Sequence, residues 1–320
     1  MKVLFDLPAA TIAKCFDPQD LQALARVYQT TTIASEADAI ITGWGTLALS
    51  DAQIERMLNL RVWVHSAGSV KNFLPASFWS RGIRLATCNE ALAIGVAETT
   101  LGLIVAGLKG FFPASNVTRA GGWLENGKTV QGWPVRELYG TTIGIIGASQ
   151  TGRHLIRLLK NFQVKMLLAD PYVTQDQARE LGCEKVELQE LMSQSDVVSL
   201  MAPALPETRH MLSRAQFAAM KDNGILINTA RGMIVDEDAL VAELQTGRIF
   251  AFLDVTFPEP PATDHAFRRL PNCVLLPHIA GAVSNGCLRL GRSTVDQLIE
   301  FSDGKKMHGE VTQEQIARMA

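Results

Sequence analysis

The sequence predicts an α/β chain made of two doubly wound parallel-sheet domains with a cleft between them. Three observations carry this. A length of 320 residues suits two domains better than one. Short apolar runs alternate with amphipathic stretches through most of the chain, the pattern of βα units on a parallel sheet. The alternation breaks at 113–140 and restarts at 141–147 without any internal repeat, so the halves are separate units and not copies.

Each element follows in order. The first seventeen residues meet an acid at Asp6 and lack a basic leader with a long apolar core, so they read as a first strand and not as a signal peptide. Strands are expected at 2–5, 39–42, 62–65 and 83–86, with helices around 18–28, 50–58 and 90–110. The most apolar stretch, 96–112, carries Glu98 and Lys109, is short for a membrane span, and reads as a buried helix. The segment 113–140, with Trp123, Trp133 and four glycines before Gly140, reads as a connecting arm or a surface that packs on a partner. Beyond it come a strand at 141–147, a helix at 152–160, and strands at 165–169, 196–201, 224–228, 250–254 and 274–276. A last amphipathic helix covers 284–301.

Composition removes several classes. The chain is 47% hydrophobic and 19% charged, too apolar and too weakly charged for disorder. A formal charge of −2 gives no basic footprint for nucleic acid, so any anionic ligand must be held by local features. Five cysteines without a CxxC pair suit a reduced cytoplasmic setting with ordinary thiols, and no His, Cys and Asp set has metal-ligand spacing.

The chemistry gathers in two places. GASQTG, Gly147–Gly152, follows an apolar strand and opens a helix, where backbone amides and the helix N-terminus suit a pyrophosphate. Ser149 stands at the second glycine of the usual pattern; its hydroxyl is expected to donate to a phosphate oxygen. Asp170 ends the next strand, where an acid hydrogen-bonds a ribose. With Pro171 and Tyr172 after it and no arginine, it favours NAD over NADP. Downstream, INTARGMIVDEDAL places Arg231 after a strand, in a turn allowed by Gly232, and its planar fork can hold a carboxylate. LDVTFPEPP supplies Glu259 and LLPHIAG supplies His278. A histidine paired with a carboxylate is a general acid/base of fixed tautomer. Arg231, Glu259 and His278 together serve ketone reduction without a metal.

The run from GTTIGIIG through DPY, SDVVSLMAPALPETRHML, NTARGMIVDEDAL, LDVTFPEP and LPHIAG resembles the D-isomer-specific 2-hydroxyacid dehydrogenases. VAETTLGLIVAGL at 96–108 and SAGSV at 66–70 are similar to that family's helix and substrate loop. The resemblance implies a Rossmann NAD-binding domain over 109–283 and a flavodoxin-like substrate domain over 1–108 completed by 284–320. It implies that Arg231 binds substrate carboxylate and carbonyl, that His278 is the acid/base, and that Glu259 is its partner. Asp254 would meet the nicotinamide carboxamide, Thr229, Ala202 and Pro203 would line the cofactor, and Gln150 and Thr151 would sit on the pyrophosphate. Gly68 and Ser69 would offer amides to the substrate carboxylate. It also implies a homodimer through the long helix and the arm. Ser149, Met201 and Ala93 depart from the family's common glycine, histidine and asparagine.

Other residues read more blandly. His65 reads as a hydrogen-bonded structural histidine, His154 as part of a solvated face, and His210, His265 and His308 as surface. Trp44 stands evenly between a pocket floor and core. Phe267 and Leu270 read as packing residues. The function expected is hydride transfer between NAD(H) and C2 of a small 2-hydroxy or 2-oxo acid. The alternatives are an NADH-sensing module like the C-terminal-binding corepressors, or a dehydrogenase of a related small anion such as formate or phosphite.

Overall fold

A computed structural model describes residues 1–123, 129–130 and 132–319. They form two compact units, one of residues 1–95 with 281–320 and the other of residues 96–280.

In the first unit, β1 (Lys2–Phe5), β2 (Gln29–Thr31), β3 (Ala39–Thr42), β4 (Val62–His65) and β5 (Arg84–Thr87) run parallel in the order β5-β4-β3-β1-β2. A short antiparallel strand, Glu310–Val311, pairs with β5 at the edge. β3 and β4 are buried at every position, as strands covered on both faces must be. One face packs under the helix Asn285–Ser302, which contributes Cys287, Val295, Leu298 and Phe301 to a core with Val3, Ile41, Val62 and Val64. The helix Ala9–Cys15, directly after Pro8, was not legible in the apolar opening of the chain. Its successor Pro18–Ala25 starts where Asp17 accepts from the Gln19 amide and proline fills the first helical position.

In the second unit the arm contains the helix Phe111–Arg119 and a hairpin of β6 (Thr129–Val130) and β7 (Trp133–Pro134), so it is more ordered than a loose connector. Its residues 124–128 and 131 lie outside the described residues. Trp133 is buried against Phe250 and Phe252, which makes it core. The main sheet comprises β8 (Thr142–Ile146), β9 (Lys165–Ala169), β10 (Glu184–Lys185), β11 (Val197–Leu200), β12 (Ile225–Asn228), β13 (Phe250–Leu253) and β14 (Cys273–Leu275). All are parallel, in the order β10-β9-β8-β11-β12-β13-β14. Strand order reverses between β8 and β11, the place where open sheets of this kind hold ligands beyond their carboxyl ends.

The helix Asn89–Leu108 is long and apolar enough to cross a membrane by length and composition alone. Ala97, Leu103, Ile104 and Leu108 nevertheless sit in the core of the second unit with Ile143, Ile225 and Phe252. That packing places the unit boundary within the helix, at 95/96, and not after residue 108. The second boundary falls at 280/281 instead of 283/284.

Candidate active site

Register decides which residues share an edge. Ile146 pairs with Ala169 and Leu200, Leu200 with Asn228, Asn228 with Leu253, and Leu253 with Leu275. The residues that follow these strands therefore line one edge of the second sheet: Gly147, Asp170, Met201, Thr229, Asp254 and Leu276. Nearly every position singled out in this half of the sequence sits on or just beyond that edge.

At β8 the chain turns sharply. Gly147 has φ +97°, and a Cβ there would lie 2.8 Å from the Ala202 backbone. A Cβ on Gly152 would run into the Gly147 carbonyl, so both glycines are required by close approach. The helix Gln150–Leu159 then begins, and among the described residues the amides of Ser149, Gln150 and Thr151 meet no acceptor. Free amides at a helix N-terminus fit a pyrophosphate. Ser149 behaves differently from expectation. Its hydroxyl donates to the Met201 carbonyl at 2.9 Å and accepts from the Gly152 amide at 3.3 Å. It is the helix cap, and its one hydrogen is already committed to protein. The Asp170 carboxylate accepts from the Ala148 amide at 2.7 Å and from the Tyr172 amide at 2.8 Å, which ties the end of β9 to the glycine-containing turn. Ala202 is buried and Pro203 half-buried beside this turn, and Gln150 is exposed. The buried Thr229 hydroxyl lies 2.8 Å from that of Thr100 on the long helix.

Past β12, Asn228 builds the turn that presents Arg231. Its side chain accepts from the Ala230 amide at 3.0 Å and donates to the Arg231 carbonyl at 3.1 Å. A Cβ on Gly232 would strike the Thr256 carbonyl group, so this turn packs backbone to backbone against the loop carrying Glu259. The Arg231 guanidinium donates once, to the Ala230 carbonyl at 2.7 Å. A guanidinium has five N–H donors, so four remain without a partner among the described residues. Burial lowers its pKa and the Glu259 charge acts against that. A half-buried cation with an open planar fork is prepared for a carboxylate or a polarised carbonyl.

Glu259 and His278 meet as the sequence anticipated, Nδ1 to Oε1 at 2.7 Å. With Nδ1 donating to the carboxylate, Nε2 is left for a reacting oxygen. His278 is about half exposed and has φ +53°, a backbone conformation rare for a side-chain-bearing residue. Asp254 supports it. Buried at the end of β13, its two carboxylate oxygens accept from the Ile279 and Ala280 amides at 2.8 and 2.9 Å, and its carbonyl accepts from the His278 amide. Neither Asn228 as the shaper of the Arg231 turn nor Asp254 as a clamp on the His278 segment was legible in the sequence. The only signal was that each closes a strand immediately before a functional turn.

In the first unit, the segment after β4 leaves the amides of Ala67, Gly68, Ser69 and Val70 without an acceptor among the described residues. Four successive free amides, three of them on buried Ala67, Gly68 and Val70, suit an anion. Trp44, after β3, is 39% exposed with the Lys14 ammonium 5.9 Å from its ring centroid, so it is not core.

His308 is exposed, as expected of a surface residue, and His265 is half-buried; both are hydrogen-bonded. His308 contacts Ser293 at 2.9 Å and Glu300 at 3.0 Å, and His265 accepts from the Phe267 amide with Glu237 at 3.7 Å. Ser293 and Glu237 come from other turns of the chain, which spacing alone does not reveal. Phe267 is core as expected. Among the described residues no group of three His, Cys, Asp or Glu could hold a metal.

A family model for the D-isomer specific 2-hydroxyacid dehydrogenase NAD-binding domain matches residues 101–280. The chain belongs to the D-isomer specific 2-hydroxyacid dehydrogenase family. Its second unit is that family's NAD-binding domain. The chain is 31% identical over 271 residues to the D-3-phosphoglycerate dehydrogenase of Methanocaldococcus jannaschii, covering 84% of this chain and 51% of that protein. It is 33% identical over 272 residues to the glyoxylate reductase of Korarchaeum cryptofilum, covering 83% and 80%. The chain spans about half the length of the curated phosphoglycerate dehydrogenases it matches. In fold it is similar to the crystal structure of a phosphoglycerate oxidoreductase from Rhizobium etli, with TM-score 0.82 at 24% identity over 98% of each chain.

Proposed function

We propose that the protein transfers hydride between NAD(H) and C2 of a small 2-hydroxy or 2-oxo acid. The observation that carries this is the Glu259–His278 pair at 2.7 Å, in the same unit as an arginine whose fork is almost wholly unpartnered. NADH, when bound, supplies the hydride from its nicotinamide ring. His278 gives the oxygen its proton through Nε2, and Glu259 holds the ring in the tautomer that leaves Nε2 available. Arg231 binds the carboxylate and polarises the carbonyl, and the amides of Gly68 and Ser69 bind the carboxylate as well.

For the cofactor, Ser149, Gln150 and Thr151 offer amides to the pyrophosphate over the Gly147–Gly152 turn, and Asp170 takes the adenosine ribose hydroxyls. Ala202, Pro203 and Thr229 line the dinucleotide. Asp254 serves from behind as the clamp on the His278 segment; a carboxamide reaching it would share an oxygen already bonded to an amide. The working form is a cytoplasmic homodimer through the long helix and the arm, where Phe111, Phe112 and Trp123 stay exposed.

The test is NADH oxidation with a panel of 2-oxo acids that includes glyoxylate, the substrate named for a similar enzyme. Turnover is expected, with kcat/KM for NADH at least about tenfold above NADPH, roughly 1.4 kcal/mol, because Asp170 would face a 2′-phosphate. NADH binding without turnover of any acid overturns the dehydrogenase reading in favour of a nucleotide-sensing module.

A further inference from the structure

Hydride transfer leaves one buried imidazole without a task. Thr42 and His65 are register partners on the adjoining parallel strands β3 and β4, so their side chains lie side by side on one face. Trp63 Nε1 donates to Thr42 Oγ1 at 2.6 Å, and Thr42 Oγ1 lies 2.8 Å from His65 Nδ1. All three residues are buried. An indole N–H only donates, so Thr42 oxygen receives that hydrogen. Its own hydroxyl hydrogen has no other acceptor among the described residues and goes to Nδ1. The imidazole therefore carries its hydrogen on Nε2. Burial holds the ring neutral, with its pKa pushed down to about 4, and a hydrogen bond to the Ser69 backbone acts against that shift. Phe73 packs on the ring with centroids 5.0 Å apart.

We propose that His65 is a positioning residue, which fixes the free amides after β4 through the hydrogen bond from Nε2 to the Ser69 carbonyl. A peptide unit is planar and trans, so its carbonyl and amide point in opposite directions. Pinning the Ser69 oxygen therefore sets the direction of the Val70 N–H and holds the run of donors in one arrangement. The chain Trp63–Thr42–His65–Ser69 transmits the order of the sheet to a segment whose amides from Ala67 to Val70 have no acceptor of their own among the described residues. This proposal rests on the reading that those amides receive the substrate carboxylate.

His65→Phe keeps the aromatic volume against Phe73 and removes both hydrogen bonds, and it is measured with glyoxylate as the probe acid. KM should rise about tenfold while kcat stays within twofold and NADH affinity is unchanged, because one group of donors is misdirected and the chemistry is untouched. His65→Gln, whose amide still accepts and donates, should recover part of the loss. Thr42→Val should raise KM in the same direction, and adding it to His65→Phe should cost nothing further. An unaltered KM in His65→Phe overturns the proposal, as does a joint collapse of KM, kcat and melting temperature in both His65 variants. If the parent turns over no 2-oxo acid, the function proposed above has failed by itself. The His65 proposal is then decided by hydrogen exchange at amides 66–70: faster exchange in His65→Phe at an unchanged melting temperature supports it, and equal exchange overturns it.

Discussion

Replacing Ser149 by alanine separates two ways in which a hydroxyl can serve a nucleotide-binding turn. The Ser149 oxygen caps the helix by accepting from Gly152, and its hydrogen goes to the Met201 carbonyl. Loss of an N-cap costs about 1 kcal/mol. Met201 is buried, and leaving its carbonyl unbonded costs about 1–3 kcal/mol more. Together these give roughly 2–4 kcal/mol, or about 4–16 °C in melting temperature for a unit of this size. NADH affinity should change less than about threefold, because the hydrogen lost was never offered to phosphate; a charge-assisted bond to phosphate would have been worth about 1.5–3 kcal/mol. Thermal melts and NADH titration by fluorescence on the same preparation read both quantities. If Ser149→Ala melts with the parent but binds NADH tenfold or more weakly, the hydroxyl bonds phosphate and the capping account is wrong.

Four further outcomes are expected. His278→Ala should lower kcat about 10²–10⁴-fold with NADH binding intact, and Asp254→Asn should also lower kcat while reducing stability, since an amide donor would face the Ile279 or Ala280 N–H; a silent Asp254→Asn, seen in steady-state rates and melts, would show that the clamp is dispensable. The hydrogen bonds from Arg84 hold the Glu310 carboxyl below its ordinary value, so the stability of that pair is full above about pH 4.5 and is lost as pH falls through the lowered value. Amide exchange at Glu310 and Val311 should accelerate in acid, and Glu310→Gln should abolish the pH dependence. Burial pushes the thiols of Cys15, Cys88 and Cys183 up to about 11, which leaves about one part in a thousand as thiolate at pH 8; rapid labelling of any of them in the native protein would contradict the burial described.

The sequence by itself determined the main parallel strands of the second unit and the family to which they belong. Strand and helix periodicities, the strand–GASQTG–helix join and the residues Asp170, Arg231, Glu259 and His278 are local patterns, and local patterns survive without coordinates. Glu259 and His278 were paired from chemical type alone, and the structure sets them 2.7 Å apart. What only the tertiary structure decided depends on register and on the burial of backbone groups. The Ser149 hydroxyl turned to Met201, fifty-two residues away, because β11 ends level with β8 and its carbonyl needs a donor. Asp254 became the clamp on the His278 segment because β13 ends where that segment passes. His65 acquired partners because β3 and β4 pair Thr42 with it. The helix Asn89–Leu108 reads as one uniform apolar run, and the boundary between units inside it appears only where its side chains enter one core or the other. Hydrophobic pattern states that a residue is buried, but not against what, and hydrogen-bond partners far apart in the chain are set by the fold.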